Sequence, residues 1–191
     1  MKRISFKDSG GLNLTQAVLS GRKTMTRRAV PYRVETYAMK YSECENNNKC
    51  EKFEYICQHS QYKIGDVVAI QQAYKECFGE VDATNNKIRK TIGWSNKMFV
   101  AASLMPHHIR ITGVCVERLQ LIPYDDCLRE GINEMVESQY IPAVYYYGDG
   151  SDGFFFDTPR AAFAALIDKV CGRGIWESNP LVWVYSFELV D

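Results

Sequence analysis

No charge of either sign dominates this chain. Lys and Arg together number 23, Asp and Glu number 23, and the formal net charge of the 191 residues is zero, which excludes a protein that coats nucleic acid over its whole surface. Any polyanion has to be met locally. No apolar run reaches the roughly 18 residues that a membrane-spanning helix needs, so no membrane partner is expected. The opening Met1-Lys2-Arg3-Ile4-Ser5-Phe6-Lys7-Asp8 carries charges with no apolar core behind them, unlike a secretory signal, and the expected location is cytoplasmic. Seven cysteines make an odd number, which points to reduced thiols rather than a disulfide framework. Cys77, Cys115, Cys127 and Cys171 lie among apolar residues and read as core fillers. No tandem repeat is present.

What the chain does have is an ordinary globular composition, 46% hydrophobic with a 13% aromatic share, and a length that suits one domain over residues 1–191. Its most concentrated chemistry is Gly21-Arg22-Lys23-Thr24-Met25-Thr26-Arg27-Arg28, four cations and two hydroxyls in eight residues. Such a cluster suits an anionic ligand, phosphate above all, and equally suits a solvated basic turn. Leu12, Leu14, Ala17, Val18 and Leu19 before it repeat at helical spacing, with Asn13 or Thr15 as the cap and Gly21 as the left-handed stop. Lys23 and Thr26 are an odd number of positions apart, so in a regular strand they would face opposite ways. To serve one site they need a turn or bulge between them.

Residues 2–6 read as a first strand. From Val30 to about Tyr62 no clean period appears, and the segment reads as a surface insertion. Cys44, Cys50, Cys57 and His59 within it carry zinc-binding atoms, but their spacings lack close Cys pairs and no metal is expected. Val67 to Tyr74 reads as a strand whose glutamines could line a cavity, and 79–92 as a hairpin with its tip at Asn85-Asn86. His107-His108 is a weak metal signal. Ile109 to Leu119 reads as a strand with a bulge at Gly113. Pro123 to Gly131 reads as a short helix, acidic in its first turn. Glu130 at its end stands against the helix dipole, which raises a carboxyl pKa unless a cation compensates, and Lys23 or an arginine of the basic stretch is a candidate. The aromatic runs Tyr145-Tyr146-Tyr147 and Phe154-Phe155-Phe156 read as a hairpin, Thr158-Pro159 as the start of a helix running to Gly172, and Leu181 to Leu189 as a strand apolar at nearly every position.

Strands outnumber helices and are not regularly separated by them, which predicts an α+β fold, a small β-barrel with two or three peripheral helices. The basic stretch, Gly65-Asp66 with its strand, Arg110-Ile111 through Gln120, Asp126-Cys127-Leu128-Arg129-Glu130-Gly131-Ile132, and Trp176 to Phe187 with Asn179-Pro180 together resemble the ASCH superfamily of PUA-like barrels, in particular the longer members found in phages, prophages and other bacterial genomes. The resemblance implies a cleft floored by the basic turn and the short acidic helix. The superfamily includes RNA-related proteins and an amidohydrolase that removes the acetyl group of N4-acetylcytidine with a lysine, a threonine and a glutamate. By their motifs, these positions fall on Lys23, Thr26 and Glu130. On this basis an RNA, nucleoside or nucleotide ligand is expected, with Arg22, Arg27 and Arg28 on phosphate and Tyr74 and Trp94 stacking on a base. Hydrolysis of an amide on a modified nucleoside is one reading; a non-catalytic RNA-binding or adaptor module is the other. Neither requires a cofactor. Where the longer members often carry a glutamate and, two residues on, a tryptophan, this chain has Gln72 and Tyr74; a glutamine cannot act as a base.

Overall fold

A computed structural model describes residues 1–44, 49–79, 91–136, 142–151 and 153–190, with no side chains described for 40–44 and 49–51. It is a mixed α+β fold around a five-stranded sheet. The strands are β1 (Lys2–Ile4), β2 (Met25–Ala29), β3 (Val67–Ile70), β4 (His108–Arg118) and β7 (Leu181–Leu189), in the order β1-β3-β4-β7-β2. β1 and β3 are parallel and the other pairs antiparallel. A separate ribbon joins β5 (Ile132–Met135) to β6 (Val144–Tyr147). β7, apolar almost throughout, lies between β4 and β2 and is buried from Leu181 to Tyr185; a strand covered on both faces has no need of alternation. The register of β4 on β7 shifts between Ile111 and Gly113, so the expected bulge is there.

The sheet ends at β1 and β2, and no ladder between them closes it into a barrel among the described residues. Its two edges nonetheless approach each other. Arg28 on β2 donates from Nη2 to the Ser5 carbonyl just beyond β1, at 2.6 Å, and the Phe6 ring lies 5.9 Å from that of Phe187 on β7.

The helices are α1 (Leu14–Leu19), α2 (Tyr32–Cys44), α3 (Lys49–Gln58), α4 (Tyr74–Phe78), α5 (Tyr124–Arg129), α6 (Pro159–Cys171) and α7 (Ile175–Ser178). α1 is capped by neither expected residue. Asp8 does it, accepting from the Thr15 amide at 2.7 Å and hydroxyl at 2.6 Å, while Asn13 has φ of 47° and no capping bond. Thr158 caps α6 as expected, accepting from the Ala161 amide with Pro159 in the first turn.

The segment 30–62 is mostly helical and partly core rather than an irregular surface insertion. Ala38 and Ile56 are fully buried in the main apolar cluster, and Trp183 of β7 donates its indole N–H to the Ile56 carbonyl at 2.9 Å. The expected strand 67–74 stops at Ile70 and Tyr74 begins α4. β6 pairs chiefly with β5, with a single bridge from Tyr145 to Phe156 standing for the expected aromatic hairpin. The expected hairpin tip at Asn85-Asn86 lies outside the described residues. Of the four cysteines expected inside, Cys127 is buried and Cys77 half-buried, but Cys115 and Cys171 are exposed. No helix among the described residues is long and apolar enough to cross a membrane.

Candidate functional site

After α1 the chain turns at Gly21, φ 73°, and the Lys23 amide returns to the Ala17 carbonyl at 2.8 Å. Lys23 thus lies in the irregular stretch before β2, and strand alternation does not bind it to Thr26. Three consecutive residues then grip the end of α5. Arg22 donates from Nη1 to the Gly131 carbonyl at 3.0 Å, Lys23 from Nζ to the Glu130 carbonyl at 2.6 Å, and the Thr24 amide to the Arg129 carbonyl at 2.9 Å. A helix leaves its last carbonyls without intrahelical partners, and cations are favoured there. Here a distant turn supplies both needs.

The same Lys23 ammonium lies 2.6 Å from Glu130 Oε2, with both residues 3% exposed. The other carboxylate oxygen, Oε1, accepts from Arg27 Nη1 at 3.1 Å. The dipole tension expected at Glu130 is therefore relieved by two cations. Arg27 is itself buried and meets three carboxylates, adding Asp126 Oδ2 on Nη2 and Glu117 Oε1 on Nε, each at 2.8 Å. Burial of Arg27 lowers its pKa, but Glu130, Asp126 and Glu117 outweigh this and hold the guanidinium above its ordinary value. Lys23 goes the other way. Burial pulls its pKa below 10.5; Glu130 opposes the shift, and Arg28 and Arg27 add to it. At 2.6 Å from a carboxylate an exposed lysine would be strengthened, so the direction here reflects how completely the pair is withdrawn from water.

Lys23, Thr26, Arg28 and Glu130 line one cavity of about 270 Å³. Its opposite wall is apolar, with Phe163, Leu166, Ile167 and Val170 of α6. Phe6 lies within 5.9 Å of Lys23 and 5.8 Å of Arg28, measured to its ring centroid. Thr26 is 5% exposed, and among the described residues no hydrogen bond joins its hydroxyl to Lys23 or Glu130. The expected trio therefore shares a cavity, with two members in contact and the third uncommitted beside them.

The other expected ligand contacts divide. Arg28 lines the cavity, and Arg22 is exposed, bonding Asn133 Oδ1 at 2.5 Å besides the Gly131 carbonyl. Arg27 lines the cavity too, but each nitrogen of its guanidinium is engaged by a carboxylate, which sets it against the protein's own anions rather than phosphate. Tyr74 is 5% exposed and its hydroxyl accepts from the Ala101 amide at 2.8 Å. Together with half-buried Trp94 it belongs to a small second core with Ala69, Val100 and Met105, so neither ring is placed against the Lys23 cavity. Gln72 is buried with no partner for Oε1 among the described residues and does not line the cavity.

Cys57 is a half-buried free thiol and His59 bonds the Tyr55 carbonyl through Nδ1 at 2.8 Å. The side chains of Cys44 and Cys50 lie outside those described. No group of three potential metal ligands occurs among the described residues, and His108 is a strand residue opposite Ala69.

Three parts of the site were not picked out from sequence. Asp126 stands four positions before Glu130, a spacing that puts both on one helix face, and that signal was available. Glu117 and the wall of α6 gave none, because only the tertiary fold brings them to Arg27 and Lys23. A larger depression of about 470 Å³ lies between α3 and β4, beside Cys57, Lys63 and Val114, but no ion network among the described residues converges on it. The chain matches no family model, and no curated protein or solved structure matches it.

Proposed function

We propose that this is an ASCH-type protein whose Lys23 cavity binds the base of a modified nucleoside or nucleotide and hydrolyses an amide on it. The observation that carries the reading is the buried Lys23–Glu130 contact at 2.6 Å in a cavity that Thr26 also lines. The approach of the two sheet edges through Arg28 and Ser5 fits a PUA-like barrel left open at one seam.

Hydrolysis needs a base and an acid, and an ion pair is neither. Transfer of one proton from Lys23 Nζ to Glu130 Oε2 supplies both, an amine and a carboxylic acid, and withdrawal from water favours that neutral pair. Arg27 on Oε1 opposes it by stabilising the carboxylate. The Lys23 amine then takes a proton from the Thr26 hydroxyl, or from a water held by it, as that oxygen adds to the amide carbonyl carbon. Collapse breaks the C–N bond, and the Glu130 acid delivers its proton to the departing nitrogen. An acyl ester on Thr26, where formed, is cleaved by water in the same manner.

A second reading, a non-catalytic binder, is favoured by a different observation. Both Glu130 oxygens and all three Arg27 nitrogens are satisfied within the protein, as a structural strut requires. One experiment separates the two. Against a panel of N-acylated nucleosides and bases, the hydrolase reading expects turnover that falls about 100-fold or more in Lys23→Ala, Thr26→Ala and Glu130→Gln. It further expects kcat/KM to be bell-shaped in pH, because the pair works only while it holds one proton, and to fall on the alkaline side at an apparent pKa below the 10.5 of an ordinary lysine. Absence of turnover across the panel, with salt-dependent binding of short RNA that survives Glu130→Gln, hands the conclusion to the binder.

A further inference from the structure

Two cations line the Lys23 cavity without facing a carboxylate. Lys7 and Arg28 both border it, Lys7 exposed and Arg28 half-buried, and neither has an ion-pair partner among the described residues. Their hydrogen bonds go to main-chain carbonyls instead. Lys7 Nζ donates to Lys169 at 2.9 Å and Val170 at 3.2 Å, at the end of α6, and Arg28 Nη2 donates to Ser5 at 2.6 Å. An ammonium has three N–H donors and a guanidinium five, so both keep donors in reserve. Cys171 and Val170 border the same cavity beside them.

The charges deeper in the cavity balance differently. Lys23 and Arg27 are matched by Glu130, and Arg27 also by Asp126 and Glu117 outside the lining, so the lining cations left without a carboxylate are Lys7 and Arg28. A neutral base suits the matched interior, and an anionic group suits these two.

We propose that Lys7 and Arg28 form a phosphate subsite at the mouth of the cavity, so that the ligand is a phosphorylated nucleotide rather than a free nucleoside. A guanidinium and an ammonium bordering one cavity, with donors to spare, are the groups that phosphate oxygens recruit. The subsite rests on the reading of the interior as a base pocket. The phosphate belongs either to a mononucleotide or to the backbone of an RNA strand, and the two sources give different results below.

The test is calorimetric titration of the intact protein with the four ribonucleosides, their 5′-monophosphates and a short single-stranded RNA of mixed sequence, at low and moderate salt. At low salt at least one 5′-monophosphate binds about tenfold or more tighter than its nucleoside, and the ratio shrinks as salt rises. Lys7→Gln and Arg28→Gln each reduce that ratio severalfold, while Arg28→Lys keeps part of it. Because the readout is the ratio, a general loss through misfolding does not imitate it. Tight RNA binding that depends on Lys7 and Arg28, with weak mononucleotide binding, assigns the phosphate to a strand. Equal affinity of nucleosides and monophosphates, without RNA binding that depends on these cations, overturns the subsite and leaves the base pocket standing. Failure of nucleosides, nucleotides and RNA alike overturns both.

Discussion

At the scale of single residues, Arg27 is the most heavily engaged charge in the site, buried against Glu117, Asp126 and Glu130. Removing one partner of a buried ion network strands the others without compensation, at a cost of about 3–5 kcal/mol. Urea unfolding of Arg27→Met should show a loss of that order. Glu117→Gln should lose far less, because Glu117 is the most solvent-accessible of the three carboxylates. The difference between the two variants is the check, since a peripheral role for Arg27 would make both losses small. From sequence Arg27 looked like a phosphate ligand, as any arginine in a basic run does. Its real partners lie about a hundred residues downstream, and nothing in local spacing points to them. Glu130 called for a cation by its place at a helix end, with Lys23 one candidate among several; only the motif singled out Lys23 and joined Thr26 to the pair. Tyr74 shows the opposite failure, since an aromatic near a glycine turn reads the same whether it faces a ligand or, as here, packs in a second core.

At the scale of elements, the site depends on how residues 22–24 hold the three carbonyls of 129–131. The grip requires the chain to reverse at Gly131, whose φ of 102° lies where a side chain is strained. A Cβ there would meet Leu14 Cδ2 and Lys23 Cδ at 3.6 Å, ordinary contact, so Gly131→Ala is penalised through its backbone rather than by crowding. The expected cost is about 1–3 kcal/mol, a fall in Tm of several degrees in a thermal melt for a chain of this size; an unchanged Tm would show that the turn relaxes freely. Elements with local signals were readable: α5 from its acidic first turn and closing glycine, α6 from Thr158-Pro159, β7 from its apolar run. α2 and α3 were not, because Glu, Lys and Tyr interrupt their apolar stripes and the face they bury is narrow. The cap of α1 was missed because Asp8 acts from across a glycine turn.

At the scale of the whole molecule, the expected α+β class holds, with a five-stranded sheet ending at β1 and β2 and several helices; among the described residues no ladder closes the sheet into the expected small barrel. β1, β3, β4 and β7 carried local signals, whereas β2 and β5 were not read as strands, and closure depends on how far a sheet coils, which no residue pattern encodes. The helices of 30–62 contribute to the centre of the molecule through Ile56. Ile56→Ala should therefore cost about 2–5 kcal/mol in chemical denaturation. A loss under about 1 kcal/mol would return the segment to the status of a surface appendage.

The pairing of β2 with β7 also bears on the order of assembly. Thr26 and Arg28, bordering the cavity, acquire their ladder partners only from Tyr185 and Trp183, 159 and 155 positions further along the chain. During translation β2 has neither edge paired until the residues of β7 emerge. Contacts this distant in sequence slow folding, and a waiting edge strand invites pairing with the wrong chain. The positive charge that equips Arg27 and Arg28 for their places in the folded site can meanwhile act as a guard, since like charges keep nascent copies of the strand apart.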